Sequence, residues 1–296
     1  MSLGSLEEIR AQCQQHGLPF WEVVLADHLR ETGGGRQEAL ERMARSYQVM
    51  EEADRQYDGS LRSASGLAGG DGKKLEEFRK NPNRLIGDFL TEVMEKAVKM
   101  GESNACMKRI VAAPTAGSCG VIPAVLLTYG EQKDVSEEQL VRALFVAAGI
   151  GEVLAESASI AGAEGGCQAE IGSASAMAAG AVTFLEGGDE EDIVHGAALA
   201  LKNMLGLTCD PVAGLVEVPC IKRNVAGAVI AVTSSQMVLA GIRSAIPPDE
   251  VVDSMRRIGR QLPPCLKETG QEGLATTPTG AQVAERLRTT SVSTSK

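Results

Sequence analysis

Residues 171–185 read IGSASAMAAGAVTFL, fifteen residues without a charge in which Gly, Ala and Ser recur at most positions. Small residues let helices and backbone approach closely, although each glycine lowers intrinsic helix stability. The same character begins near Ala113 and continues through several long uncharged runs, which predicts a compact helical core. No alternation of apolar and polar residues is long enough to predict a major sheet, so the fold class is mainly α.

Working outward, helix starts are marked by Ser136-Glu137-Glu138-Gln139, by Asp189 before EEDIVHGAALAL, and by Pro247-Pro248-Asp249. Residues 1–57 read as an N-terminal helical segment, opened by a capping box at Ser5-Leu6-Glu7-Glu8 and broken by Gly33-Gly34-Gly35. A glycine-rich loop, SASGLAGGDGKK, follows from Ser63 to Lys74. Residues 58–285 are expected to form the helical catalytic domain, and 286–296, RLRTTSVSTSK, a polar tail.

Composition excludes several classes of function. A formal net charge of -10 and 3% aromatic residues argue against a nucleic-acid surface, which needs a basic patch and stacking rings. The N-terminus lacks a basic stretch followed by an apolar one, so a cytoplasmic protein acting on small metabolites is expected. The 19 uncharged residues between Arg223 and Arg243 imitate a membrane span, but Thr233, Ser234, Ser235 and Gln236 at the centre favour a buried helix. No membrane association is expected.

Three features could carry chemistry. SGLAGGDGKK fails the phosphate-loop spacing: with Gly72-Lys73 in the GK slot, the first glycine falls on Leu67 and the final hydroxyl on Lys74. The loop is either a plain tight loop or one whose N–H groups, with Lys73 or Lys74, hold a substrate carboxylate. A second loop, Ala113-Pro114-Thr115-Ala116-Gly117-Ser118-Cys119-Gly120, precedes an apolar helix and reads equally as an anion site or a capped helix with a buried thiol. Seven cysteines, at 13, 106, 119, 167, 209, 220 and 265, form no CxxC pair, and their odd number does not suggest a disulfide framework. On chemistry alone Cys167, Cys209 and Cys220 read as buried structural thiols.

The surrounding words change that reading. SASGLAGGDGKKL, APTAGSCGVIPAVL, ASIAGAEGGCQAEIGSASAMAAG, NMLGLTCDPVAGLVEVPCIKRN and ETGQEGLATTPTG, spanning roughly Ser63 to Gly280, resemble in order the separate alpha chain of the two-subunit, iron–sulfur-dependent bacterial L-serine dehydratases. The resemblance implies a 4Fe–4S cluster on Cys167, Cys209 and Cys220, and no pyridoxal phosphate. With three protein ligands, one iron stays open as a Lewis acid for the hydroxyl of L-serine, giving pyruvate and ammonia. It also implies substrate handling by Ser65, Gly66, Gly69, Gly70, Asp71, Thr115, Gly117 and Ser118, and a hetero-oligomer with a beta chain. L-cysteine desulfidase chemistry, or a noncatalytic iron–sulfur regulatory subunit, are the alternatives.

The general base is unassigned, with Lys73 and Lys74 as candidates. His16, His28 and His195 lie outside the matching words, and some relatives carry a histidine where this chain has Lys202-Asn203-Met204. The chain ends in TSVSTSK, without the cysteine-bearing tail of single-chain relatives. Cys265, Cys13 and Cys106 are expected to pack, and Cys119 to lie near the substrate.

Overall fold

Ser173–Leu185 of the small-residue stretch form an α-helix, in which residues 173–183 are all buried. A helix apolar around its whole circumference belongs inside a bundle. The computed structural model describes residues 3–293, which contain thirteen α-helices and no β-strand. They are α1 (Leu6–His16), α2 (Phe20–Thr32), α3 (Arg36–Arg55), α4 (Asp71–Arg79), α5 (Asp88–Ala105), α6 (Val121–Lys133) and α7 (Glu137–Ser157). Then come the single turn α8 (Gly162–Gly165), α9 (Ser173–Leu185), α10 (Glu190–Lys202), α11 (Cys220–Leu239), α12 (Pro248–Gln261) and α13 (Pro278–Ser293).

α9 is the axis, packed by α7, α10, α11 and α6. Its glycine positions are where neighbours come closest. A Cβ on Gly180 would lie 2.2 Å from Ile150 Cδ1, and one on Gly227 of α11 would lie 2.9 Å from Ile171 Cγ2. A larger residue at either position would push these helices apart.

The helix ends follow their sequence signals. Ser5, Ser136 and Asp189 each accept the N–H three residues on, from Glu8, Gln139 and Asp192. At Ser5 the reciprocal bond shifts by one residue, because Glu8 accepts from Gly4 N rather than from Ser5 N. α2 and α3 stop and start on either side of Gly33–Gly35, and Gly33 takes the left-handed conformation. α11 covers most of the uncharged 19 residues, with Ser234 and Ser235 buried and Thr233 exposed. None of the described helices is long and apolar enough to cross a membrane.

The divisions expected at 57 and 286 do not coincide with breaks in packing. Leu6, Ile9, Phe20, Trp21 and Leu25 join the same apolar core as α6, α7 and α9. α13 runs through position 286, where Arg286 donates to the Ser65 carbonyl at 2.7 Å. The last three residues of the tail lie outside the described residues.

Candidate metal centre

Three separate segments bring the thiols together. α8 is closed by Gly166, the residue after its last turn, whose φ of +73° suits glycine, and a Cβ there would lie 2.8 Å from the Leu207 carbonyl. This close approach sets Cys167 against the segment that carries Cys209. Gln168, fully buried, then clamps the contact: its N–H donates to Leu207 O, its Oε1 accepts from Gly206 N, and its Nε2 donates to Met255 O. Cys209 is pinned on its other side by N–H donation to Leu266 O and by acceptance from Glu268 N, both at 2.8 Å. Cys220 is the first residue of α11.

The three thiols are 2–5% exposed and none is in a disulfide. Cys209 and Cys220 donate to Cys167, which pulls the Cys167 thiol down to about 3, with the Arg223 guanidinium assisting and burial opposing. Cys209 and Cys220 are pushed up by the same hydrogen bonds, then by burial and by the charges of Cys167 and Glu170. The three thiols titrate as one group, in which Cys167 is the most readily ionised.

Glu170 completes the cluster, and sequence reasoning did not single it out as a functional residue. Its carboxylate and the sulfurs of Cys167 and Cys209 all lie within 4.8 Å of one another. The carboxyl is pushed up to about 7, first by burial and further by the charges of Cys167 and Glu268, while a hydrogen bond from Thr115 opposes. Its signal in the sequence is its place three residues after Cys167, the spacing that puts two side chains on one helical face. Here that turn is the π-helical segment Gln168–Gly172, a form frequent at functional sites.

The Thr115–Ser118 loop reaches this carboxylate directly. Thr115 Oγ1 donates to Glu170 Oε1 at 2.6 Å, and a Cβ on Gly117 would lie 2.9 Å from the same oxygen. Ser118 is buried and bonds back to Thr115 as the second half of a capping box. Asn224 of α11 ties the loop to the thiols by donating to both Gly117 O and Cys220 O.

The glycine-rich loop lies beside the Cys220 end, where Ala68 packs on Ile221. Its donors are engaged internally. Gly69, Asp71 and Gly72 N–H groups all donate to the buried Glu102 carboxylate, which also accepts from Tyr57 Oη. Ser63 and Ser65 hydroxyls donate to Glu217, three residues before Cys220. Gly66, Gly69 and Gly70 all adopt positive φ, and a Cβ on Gly69 would lie 2.2 Å from Leu61 O. The carboxylate held by these N–H groups in this structure is thus the protein's own, delivered by α5.

Lys73 and Lys74 point elsewhere. Both are exposed, and Lys74 pairs with Asp71, which also binds Lys222. His195, on α10, accepts from Ser244 N and takes no part in the thiol group. Cys119 and Cys13 sit in the apolar core with thiols pushed up to about 12 by burial, and Cys106 and Cys265 are half-buried.

A family model described as serine dehydratase alpha chain matches residues 15–275. The chain belongs to the serine dehydratase alpha chain family. This alpha chain is 46% identical over 266 residues to the probable L-serine dehydratase, alpha chain, of Bacillus subtilis, covering 90% of this chain and 89% of that one. It is 38% identical over 282 residues to the L-serine dehydratase, alpha chain, of Peptoniphilus asaccharolyticus, covering 95% and 97%. An L-serine dehydratase of Helicobacter pylori is 36% identical over 289 residues, 92% of the alpha chain and 61% of that longer protein.

Proposed function

We propose that this alpha chain is the catalytic subunit of an L-serine dehydratase, with a 4Fe–4S cluster held by Cys167, Cys209 and Cys220 and a beta chain as partner. The observation that carries the reading is the convergence of three buried, uncrosslinked thiols from three segments, with the Glu170 carboxylate against Cys167 and Cys209. The donor set fits the cofactor. Soft thiolates are the ligands of iron–sulfur clusters, and only three are offered. When bound, such a cluster supplies an incompletely ligated iron, a Lewis acid for the substrate hydroxyl.

The chain's own residues supply positioning and proton transfer. Burial, with the charges of Cys167 and Glu268, pushes the Glu170 carboxyl up to about 7, the range that suits a general base. Glu170 accepts the α-proton of L-serine and passes it to the departing β-hydroxyl, which leaves as water, and the resulting enamine tautomerises to an imine that water hydrolyses to pyruvate and ammonia. Thr115 holds the Glu170 carboxylate through its hydroxyl, and Gly117 leaves space beside it. Thr115, Gly117 and Ser118 form one wall of the substrate site. Ser65, Gly66, Gly69, Gly70 and Asp71 are the further substrate-handling residues, in a loop whose shape is fixed by Glu102 and Glu217. Lys73 and Lys74 are replaced by Glu170 as the favoured base.

The test is anaerobic reconstitution of the alpha chain, followed by iron and sulfide analysis, spectra with and without L-serine, and a pyruvate assay with and without the beta chain. About four irons and four sulfides per chain, a serine-dependent spectrum and pyruvate formation are expected. Pyruvate without a cluster would overturn the metal reading. A cluster without turnover in the complete complex would leave a regulatory subunit, and preference for L-cysteine over L-serine would indicate a desulfidase.

A further inference from the structure

The Arg223 side chain bridges the three ligand-bearing segments. It lies three residues after Cys220, so it projects from the same face of α11. Its Nη1 donates to Cys167 Sγ at 3.3 Å and to Thr208 O at 2.7 Å, and its Nη2 donates to Asp210 Oδ1 at 2.9 Å. One guanidinium therefore joins the Cys167 turn, the residues on both sides of Cys209 and the helix that opens with Cys220. Its side chain is 17% exposed and that of Asp210 is 7% exposed, so water competes little for these bonds.

The anchor extends one step further. Asp210 Oδ2 accepts from Leu274 N at 2.9 Å, and a Cβ on Gly273, at φ +69°, would lie 2.6 Å from that same oxygen. The Gly273–Thr276 turn, part of the ETGQEGLATTPTG stretch, is thereby tied to the thiol group through Asp210 and Arg223. A lysine at 223 would keep the charge but not the fork, because an ammonium cannot place donors on a sulfur, a carbonyl and a carboxylate in this planar arrangement.

We propose that Arg223 is a positioning residue for the metal group: it holds the three ligand segments in register and, by hydrogen bonding to the Cys167 sulfur, sets the reduction potential of the group bound there. This rests on the cluster reading above. Outer partners of metal ligands orient them and tune the metal, and hydrogen bonds to sulfur together with net charge set iron–sulfur potentials. Asp210 balances the guanidinium, which keeps the arginine in place when the thiolates carry no metal.

The experiment uses the full chain, with and without its beta partner, as wild type, Arg223→Gln, Arg223→Lys and Asp210→Asn. Each is reconstituted anaerobically with iron and sulfide, then read for metal retention against a chelator, for the reduction potential of the bound group, and for circular dichroism before loading. Arg223→Gln is expected to retain metal about 10- to 100-fold less well and to shift the potential to more negative values. Arg223→Lys should keep most of the potential while losing retention, because it preserves charge without the fork. Asp210→Asn, which leaves the bond to Cys167 possible, should weaken retention and move the potential less than Arg223→Gln does.

Equal retention and equal potential in wild type and Arg223→Gln would overturn the proposal. So would a loss of retention with the potential unmoved in every variant, since that is the mark of a purely structural ion pair. If Arg223→Gln does not fold, Arg223→Lys and Asp210→Asn decide: the proposal fails unless they separate retention from potential in the manner stated. Wild type that takes up no cluster would instead sink the cofactor reading itself, and the two failures are told apart by that control.

Discussion

At the scale of single residues, Glu170 carries the sharpest expectation. Removing its ability to take a proton, by Glu170→Gln, should lower turnover about 10²–10⁴-fold, the usual worth of a positioned base, while circular dichroism and cluster content stay at wild-type levels. The pH dependence has a definite sign. A base must be ionised, so kcat/KM of the wild type should fall as pH drops through about 7, the position set by burial and by the neighbouring negative charges. Thr115 opposes that upward shift through its hydrogen bond, so Thr115→Val should move the same acid limb to higher pH. A limb that stays in place in Thr115→Val and survives in Glu170→Gln would assign the base elsewhere, including to the beta chain. Only the spacing of Glu170 three residues after Cys167 was legible in the sequence, where it is otherwise one carboxylate among many. Its meaning comes from Thr115, 55 residues away, and from Cys209, neither of which periodicity can place beside it.

At the scale of elements, local signals were legible and tertiary ones were not. The caps at Ser5, Ser136 and Asp189 and the break at Gly33–Gly35 depend on neighbours within four residues, and the structure has helix boundaries there. The small-residue content of α9 was likewise readable, because a helix with so little bulk must be enclosed by others. The glycine-rich loop is the contrasting case. Its run of N–H donors was visible, but the acceptor that satisfies them, Glu102, arrives from α5, about thirty residues on. The loop is consequently built around an internal carboxylate. Glu102 is 1% exposed, and its oxygens accept three backbone N–H groups and the Tyr57 hydroxyl. In Glu102→Gln an amide NH₂ replaces one of those oxygens and confronts donors already in place. Bonds to a charged acceptor are each worth about 1.5–3 kcal/mol, so a destabilisation on the order of 3 kcal/mol is expected in denaturant titrations. A change below about 0.5 kcal/mol would mean that the loop does not depend on this anchor.

At the scale of the whole molecule, the three thiol segments are held by helices that all lean on α9, so the geometry of the site and the stability of the bundle are linked. The stability has a pH-sensitive joint at His195 on α10. Its Nδ1 accepts from Ser244 N at 3.2 Å, which joins α10 to the segment leading into α12. Protonation at Nδ1 would turn that acceptor into a donor facing another donor. Burial and, after it, the Arg243 guanidinium hold the imidazole below its ordinary 6.5, with Arg10 adding to the effect and Glu191 and Asp192 opposing it. The unfolded chain therefore binds more protons than the folded one as pH falls below about 6.5. This contribution is fully present above that value and is lost as pH drops toward the depressed folded-state value. Denaturant midpoints at pH 7.5 and 5.5 should accordingly fall further for wild type than for His195→Gln, whose amide oxygen can still accept from Ser244 without acquiring a charge. Comparing the two chains removes the common contribution of the carboxylates that also titrate over this range. Equal losses would show that the neutral imidazole is not what couples α10 to the approach to α12.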